Sequence, residues 1–414
     1  MTSLRATRRS AVFVTYNGLL DPLGHSQILP YLERLNVDWP VRIVSFERKE
    51  KLADAGRLRE MEERLRRQEI RWIRRRYHQK PSLPATTYDM LAGVMAVRRL
   101  MSQERVGLIH ARGYVPMEIA SNATIASDTS VLFDIRGLQA EEYVDGGVWR
   151  EGELKWRIAK RSERRFFRRA SGAVVLTEAI KPYVTSRFGE VRRVVPPIAV
   201  VPCCVDLDRF RFAPDARTRV RTRLGVSDDT IVFVYSGSLG TWYLGDAMAR
   251  LVRRYGDKTG RKVFLQWTVN NGQPLAHEAS RRAGLRPDEY TVGSLPADEI
   301  AASLSGADVG LALIRACFSK RSSSPTKYAE YLSVGMPIVI SRGVGDGPLL
   351  EREGGAVALP DEIDDDAIER AVAALEPLVG RPRQEFRSVA ERLFDVDRVA
   401  LPTYRELYGK LIPS

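Results

Sequence analysis

Short apolar runs rich in β-branched residues recur along the chain, and the apolar positions between them fall at helical spacing. In the first half the runs lie near Ala11–Tyr16, Val41–Phe46, Ile70–Arg74, Leu108–Ala111, Val131–Ile135 and Ala173–Thr177. Helices are predicted between them, for example Ser26–Leu35 and Ala85–Met101. The second half repeats the rhythm near Ile231–Tyr235, Val263–Thr268, Tyr290–Val292, Val309–Ile314, Pro337–Ser341 and Ala356–Leu359. Strands separated by helices pair in parallel, and a parallel sheet is covered on both faces. The pattern therefore predicts an α/β chain of two doubly wound domains. The stretch Val194–Arg209, VVPPIAVVPCCVDLDR, is the natural junction, which sets the expected domains at residues 1–195 and 196–398. The tail from Val399 to Leu411 reads as an amphipathic helix with Pro402 near its start, and residues 399–414 are expected to pack back onto the first domain. Open sheets of this kind take ligands beyond the carboxyl ends of their strands, so the expected site is the cleft where the two domains face each other.

Composition narrows the partners. The 414 residues carry a net charge of +13. Residues 1–190 hold 34 Lys and Arg against 23 Asp and Glu, an excess of 11, so the first half is suited to an anionic partner. No window approaches 18 uninterrupted apolar residues, so no transmembrane helix is expected. The basic start, Met1–Ser10, runs into a short strand-like segment, which argues against a signal peptide. Cys203, Cys204 and Cys317 match no zinc spacing and form no disulfide framework, so a reducing cytosol is the simple reading.

The stretch SSSPTKYAEYLSVGMPIVIS, residues 322–341, reads as a helix followed by a buried strand. Ser324 suits the N-cap, Pro325 the first helical position, and Gly335 the stop. Lys327 then falls in the first turn, where the helix dipole disfavours a cation, unless an anion lies between them. Glu330, three residues on, shares its face and is placed to accept hydrogen bonds from a diol. The plain alternative is a Lys327–Glu330 surface pair worth roughly 0.3 kcal/mol. A second glycine-rich turn, YSGSLGTWY, follows a buried strand and brings Gly237 and Ser238 to its end. In the first half Gly24 and Ser26 begin a helix after the first strand, with His25 between them. His110 with Arg112, and Asp134 with Arg136, close two further strands. The segment Leu154–Ala170 places Leu154, Ile158, Ser162, Phe166 and Ala170 in one stripe on an otherwise basic helix. Such a helix either covers a sheet or lies on an anionic membrane surface, and Arg164, Arg165, Arg168 and Arg169 are the candidate contacts on the membrane or acceptor side.

In this order, DPLGHSQILPYL, IHARGY, FDIRG, VVPCCVDLDRF, YSGSLGTWY and SSPTKYAEYLSVGMPIVIS resemble glycosyltransferase family 4 over nearly the whole chain. The resemblance implies a GT-B fold of two Rossmann-like domains around a central cleft. It also implies a nucleotide-diphosphate sugar donor, retention at the anomeric carbon and no essential metal or other cofactor. The second domain would hold the donor and the first the acceptor. Glu330 matches the second Glu of the family's E-x7-E motif, but Ser322 stands at the first. The Arg and Lys that usually follow YSGSLG are replaced by Thr241 and Trp242. On this reading the donor-binding set is Gly24, Gly237, Ser238, Ser294, Ser324, Thr326, Lys327 and Glu330. His110, Arg112 and Arg136 are the catalytic-side candidates that orient sugar or phosphate.

The resemblance makes a uridine nucleotide the expected donor and a glycan or lipid-linked saccharide the expected acceptor. The place of action would be the cytoplasm, with peripheral attachment to the inner face of the membrane. Other readings are a nucleotide-sugar epimerase on the same fold, a degenerate transferase, and a basic binding protein. Nucleic acid is not an expected partner, because no recognition motif accompanies the basic charge.

Overall fold

The structure is a computed structural model that describes residues 9–80, 82–125, 127–240 and 242–412. Residues 1–8 of the basic start, and Thr241, lie outside the described residues. The chain forms two compact units, Met1–Pro202 with Val396–Ser414, and Cys203–Asp395.

The first unit is built on seven parallel strands: β1 (Ser10–Thr15), β2 (Val41–Glu47), β3 (Arg71–Arg76), β4 (Val106–Arg112), β5 (Ser130–Asp134), β6 (Gly172–Val175) and β7 (Ile198–Val200). Their order is β3-β2-β1-β4-β5-β6-β7. Alternate residues of each strand feed different cores, as the two-residue period requires. From β1, Val12 and Val14 join one apolar cluster and Phe13 joins another. The second unit has six parallel strands: β8 (Ile231–Gly237), β9 (Val263–Val269), β10 (Tyr290–Gly293), β11 (Val309–Ala312), β12 (Ile338–Ser341) and β13 (Ala356–Leu359). Their order is β10-β9-β8-β11-β12-β13. From β8, Ile231, Phe233 and Tyr235 face one core, while Val232 and Val234 face the other. Both sheets therefore bury both faces, which explains the continuous apolar runs.

Two expectations are corrected here. Strand β7 lies within the stretch taken as junction and pairs with β6, so the first unit extends to Pro202. The helix expected over Ser26–Leu35 is two helices, Pro22–Gln27 and Leu29–Leu35, broken at Ile28, whose backbone leaves the helical region. The tail returns to the first unit from Val396, a turn of π-helix leading into helix Leu401–Leu411, and buries Tyr404, Leu407, Tyr408 and Leu411. Among the described residues, no helix is long and apolar enough to cross a membrane.

Candidate functional site

In the second unit the strand order reverses between β8 and β11, and the chain leaves their carboxyl ends in opposite directions. From β8 comes the turn at Gly237 and Ser238. From β11 comes the 3-10 turn Ser319–Ser322 and then helix Thr326–Ser333. That helix docks on the sheet through Tyr331, whose ring lies so close to β11 that a Cβ on Gly310 would stand 2.2 Å from it. The Tyr331 hydroxyl accepts the Ser236 N–H at 2.7 Å and so ties the end of β8 to the helix.

Docking the helix this way turns Lys327 inward. It is 6% exposed, with its ammonium 4.3 Å from the Tyr235 ring centre and 4.0 Å from that of Tyr243. Nζ donates to the Tyr235 hydroxyl at 3.3 Å, and that hydroxyl donates to the Ser238 carbonyl at 2.5 Å. Gly237, at φ +139°, leaves room for the ammonium, since a Cβ there would lie 3.0 Å from Nζ. Burial pulls the Lys327 ammonium down to about 7, with the Glu330 charge offsetting only part of it. Glu330 is half-buried. Burial pushes its carboxyl up to about 7, against the pull of Lys327 and Arg209. The two groups are therefore poised to change charge near neutrality.

The remaining donor-side candidates are placed as follows. Ser324 does not cap the helix, because its hydroxyl accepts the Cys203 N–H at 3.0 Å. The helix starts at Thr326, with Pro325 at the cap position and no side-chain cap. Thr326 is half-buried and Ser238 exposed. Ser294 is exposed at the end of β10, with β9 standing between that strand and β8. Ser322 is 1% exposed, and its hydroxyl donates to the Ser319 carbonyl at 2.5 Å. Gly24 is the third residue of helix Pro22–Gln27 rather than its start, and its N–H is taken by the Asp21 carbonyl at 2.9 Å.

The first unit gathers its charges around one carboxylate. Register sets Arg112 of β4 directly opposite Asp134 of β5. The fully buried Asp134 has Arg112 at 3.3 Å, Arg136 at 3.5 Å and His110 Nε2 at 3.4 Å. Burial raises the Asp134 carboxyl, but Arg136, His110 and Arg112 overcome this and hold it well below the usual carboxylate range. His110 is 2% exposed, set edge-on to Phe13, with Nδ1 at 2.8 Å from the Tyr408 hydroxyl. Burial lowers its pKa in spite of Asp134. His110 thus sits beneath the rim as a partner of Asp134, while the two half-buried arginines reach the rim itself.

The membrane-side candidates separate. The buried stripe of helix Leu154–Arg169 contains Glu163, Phe166 and Phe167, whereas Leu154 is 73% and Ile158 57% exposed. The expected stripe is corrected because polar groups occupy the core face. Lys160 pairs with Glu141 at 2.7 Å and with Glu163, and Tyr114 donates to Glu163 at 2.9 Å. Arg169 ties the helix down, donating to Thr124 Oγ1 at 2.9 Å and to the Thr129 carbonyl at 2.8 Å. Arg165 pairs with Glu118. Arg164 and Arg168 are exposed and, with Trp156, Arg157, Arg161 and Arg187, line a shallow depression of about 550 Å³.

Two features escaped the sequence reading. Glu47, fully buried at the end of β2, accepts the N–H groups of Leu19 and Leu20 at 2.8 and 3.2 Å and pins the loop after β1. The Trp242 ring carries two cations, Lys320 Nζ at 4.1 Å and the Arg315 guanidinium at 4.8 Å from its centre. No local motif announces either, since both depend on strands or turns brought together from distant parts of the chain. Among the described residues, no group of three or more His, Cys, Asp or Glu side chains is placed to hold a metal ion.

Comparison with known proteins supplies the wider setting. Residues 29–209 match the model described as Glycosyltransferase Family 4. The chain is 27% identical over 234 residues to a GDP-mannose-dependent alpha-(1-6)-phosphatidylinositol monomannoside mannosyltransferase of Mycolicibacterium smegmatis. That match spans 54% of this chain and 58% of the relative. A glycosyltransferase from Rickettsia africae superposes with a TM-score of 0.69 at 12% identity, over 99% of this chain and 100% of that one. Sucrose-phosphate synthase from Thermosynechococcus elongatus gives 0.68 at 15%, over 97% and 100%. HepE from Anabaena, solved with UDP and glucose, gives 0.65 at 14%, over 97% and 100%. At those identities the three structural likenesses are likenesses of fold.

Proposed function

We propose, from the premise that this chain is a family-4-like glycosyltransferase on the GT-B fold, that it moves a sugar with retention from a nucleotide-diphosphate sugar to a hydroxyl of a glycan or lipid-linked saccharide. The observation that carries this reading is Lys327, buried against Gly237 at the reversal point of the second sheet with Glu330 one turn further on. In this reading Lys327 faces the diphosphate and Glu330 accepts hydrogen bonds from the ribose hydroxyls. Negative charge grows on the diphosphate as the C1–O bond breaks. Donors fixed in advance toward that charge lower the barrier, each by about 3 kcal/mol. The acceptor hydroxyl approaches on the face the diphosphate leaves, and a phosphate oxygen takes its proton. No protein base and no metal is required by this scheme. Arg112 and Arg136, held by Asp134, orient the acceptor, and His110 supports them from beneath.

A uridine nucleotide is the first donor to test. The 27% relative, named as GDP-mannose-dependent with a phosphatidylinositol mannoside acceptor, makes GDP-mannose the second and favours a lipid-linked acceptor. The exposed face of helix Leu154–Arg169, with Leu154, Ile158, Arg164 and Arg168, supports attachment to an anionic inner membrane surface.

Thermal unfolding against UDP-, GDP-, ADP- and dTDP-sugars tests the donor. A ligand at 100 times its Kd adds about 2.7 kcal/mol of apparent stability. One nucleotide class is expected to stabilise the wild type and to fail with Lys327→Ala and Glu330→Ala. No shift with any of them would sink the reading in favour of a degenerate transferase. Conversion of the donor without an acceptor would favour an epimerase.

A further inference from the structure

The carboxyl rim of the first sheet holds a second polar cluster besides that of Asp134. Tyr16 follows β1 directly, and His78 lies two residues past β3, where the Tyr77 N–H still donates to the Glu47 carbonyl of β2 at 2.9 Å. Asp89 of helix Ser82–Gln103 joins these two chain ends. It is 1% exposed and meets three donors. The Tyr16 hydroxyl at 2.9 Å and the His78 N–H at 3.0 Å reach Oδ2, and His78 Nδ1 lies 2.6 Å from Oδ1. Burial and the Asp89 carboxylate push the Tyr16 phenol up, so it keeps its proton and donates. The His78 side chain is 34% exposed, and among the described residues its Nε2 has no hydrogen-bond partner. Tyr88, next to Asp89 on the helix, is 61% exposed. Its ring stands at 89° to the imidazole, with centres 5.2 Å apart.

A carboxylate only accepts, so the imidazole proton sits on Nδ1 and the lone pair on Nε2. In this tautomer Nε2 accepts from a hydroxyl and offers nothing to a phosphate or carboxylate oxygen. The exposed Tyr88 ring adds a rigid apolar face beside that one fixed polar atom. A sugar ring has the complementary surface, apolar on its C–H face and polar at its edge. A role confined to tying chain ends together accounts for the bonds from Tyr16 and the His78 backbone. It accounts neither for the oriented imidazole nor for the exposed ring beside it. The ends of β3 and β4 lie three strand spacings apart, roughly 14 Å, which is more than one sugar ring spans. We propose that His78 and Tyr88 form a subsite for a further sugar of the acceptor, remote from the hydroxyl that reacts beside Arg112. Nε2 accepts a hydrogen bond from that sugar and Tyr88 supplies its apolar face. This rests on the acceptor reading given above and narrows it to saccharides of more than one ring. His78 and Tyr88 are then binding residues, and Asp89 and Tyr16 are positioning residues.

Steady-state transfer by the full chain tests this, with the nucleotide sugar that stabilises it as donor. The acceptor probes are methyl mannoside, methyl glucoside, mannotriose and maltotriose. His78→Ala and Tyr88→Ala are each expected to raise the KM of the preferred trisaccharide about fivefold, the scale of one neutral hydrogen bond, with kcat unchanged. The KM of the methyl glycoside and the affinity for the donor should not move, whereas a structural role would shift them together. Asp89→Asn should reproduce the His78→Ala effect. Nitrogen NMR of the four imidazoles should show Nδ1 of His78 protonated in the wild type and the two tautomers mixed in that variant. Tyr88 is exposed, so its variant keeps the test sound if the Asp89 variant folds poorly. A trisaccharide KM within about twofold of the wild type's in His78→Ala, or equal rises for long and short acceptors, would overturn the proposal and leave the transferase reading intact. So would a wild type that binds a nucleotide sugar and uses none of the four saccharides. Failure to bind any nucleotide sugar would remove both.

Discussion

The carboxyl rims of the two sheets hold positive charge in opposite ways. Both sheets begin with the same reversed order, β3-β2-β1-β4 and β10-β9-β8-β11, and both place cations just past the reversal. In the first unit, Arg112, Arg136 and His110 surround the fully buried Asp134. In the second, Lys327 lies between the rings of Tyr235 and Tyr243, with a phenol as its hydrogen-bond partner. A carboxylate neutralises the cations it positions, and the cluster becomes part of what holds the unit together. A ring positions a cation and leaves its charge to act outward. The first arrangement is suited to orienting a neutral, hydroxyl-rich group, the second to meeting an anion.

The largest effect that could break this contrast is on stability. Asp134→Asn removes the charge of the fully buried carboxylate that Arg112, Arg136 and His110 surround, and denaturant unfolding should show a loss of about 3 kcal/mol or more. Lys327→Met removes a cation that burial already disfavours, so its stability should lie within about 1 kcal/mol of the wild type or above it, while donor binding is lost. Equal losses in the two variants would show that both clusters are structural.

A second test concerns pH. A bound diphosphate favours charged Lys327 and raises its pKa from about 7, so that contribution is full below neutrality and fades as pH rises. Ribose hydroxyls favour ionised Glu330 and lower its pKa from about 7, so that contribution is full above neutrality and fades as pH falls. Affinity measured over roughly pH 5.5 to 9 should peak near neutrality. Lys327→Arg should flatten the alkaline limb and Glu330→Gln the acid limb. A flat wild-type profile would separate both groups from the ligand.

The smallest effect sharpens the comparison on the surface of the first unit. Arg164→Glu with Arg168→Glu should release the protein from anionic vesicles and change stability by no more than about 0.5 kcal/mol. Arg169→Glu should instead destabilise by about 1–3 kcal/mol, because it loses the bonds to Thr124 and Thr129. Unchanged vesicle binding in the double variant would remove this helix from the membrane account.

Much of the fold was legible because burial on both faces of a parallel sheet forces continuous apolar runs. The expected strands were found, and the exception, β7, is short, half-buried and preceded by Pro196 and Pro197, which disguise it as a linker. The phase of helix Leu154–Arg169 was misread because Lys160 and Glu163 bury as a hydrogen-bonded pair, and counting apolar positions cannot see that. Ser324 looked like a cap, yet a backbone N–H from 121 residues away takes its hydroxyl.

By itself the sequence determined the strand and helix rhythm, the two-unit α/β division and the order of motifs that placed Lys327 and Glu330 on one helix face. These follow from local periods of two and of three to four residues. Only the tertiary structure decided what those charges meet. It buried Lys327 between two tyrosines, gave Trp242 its two cations and closed His110 behind Asp134 and Tyr408. Such contacts arise where strands distant in sequence are laid side by side, and no local pattern records which charges will share a rim.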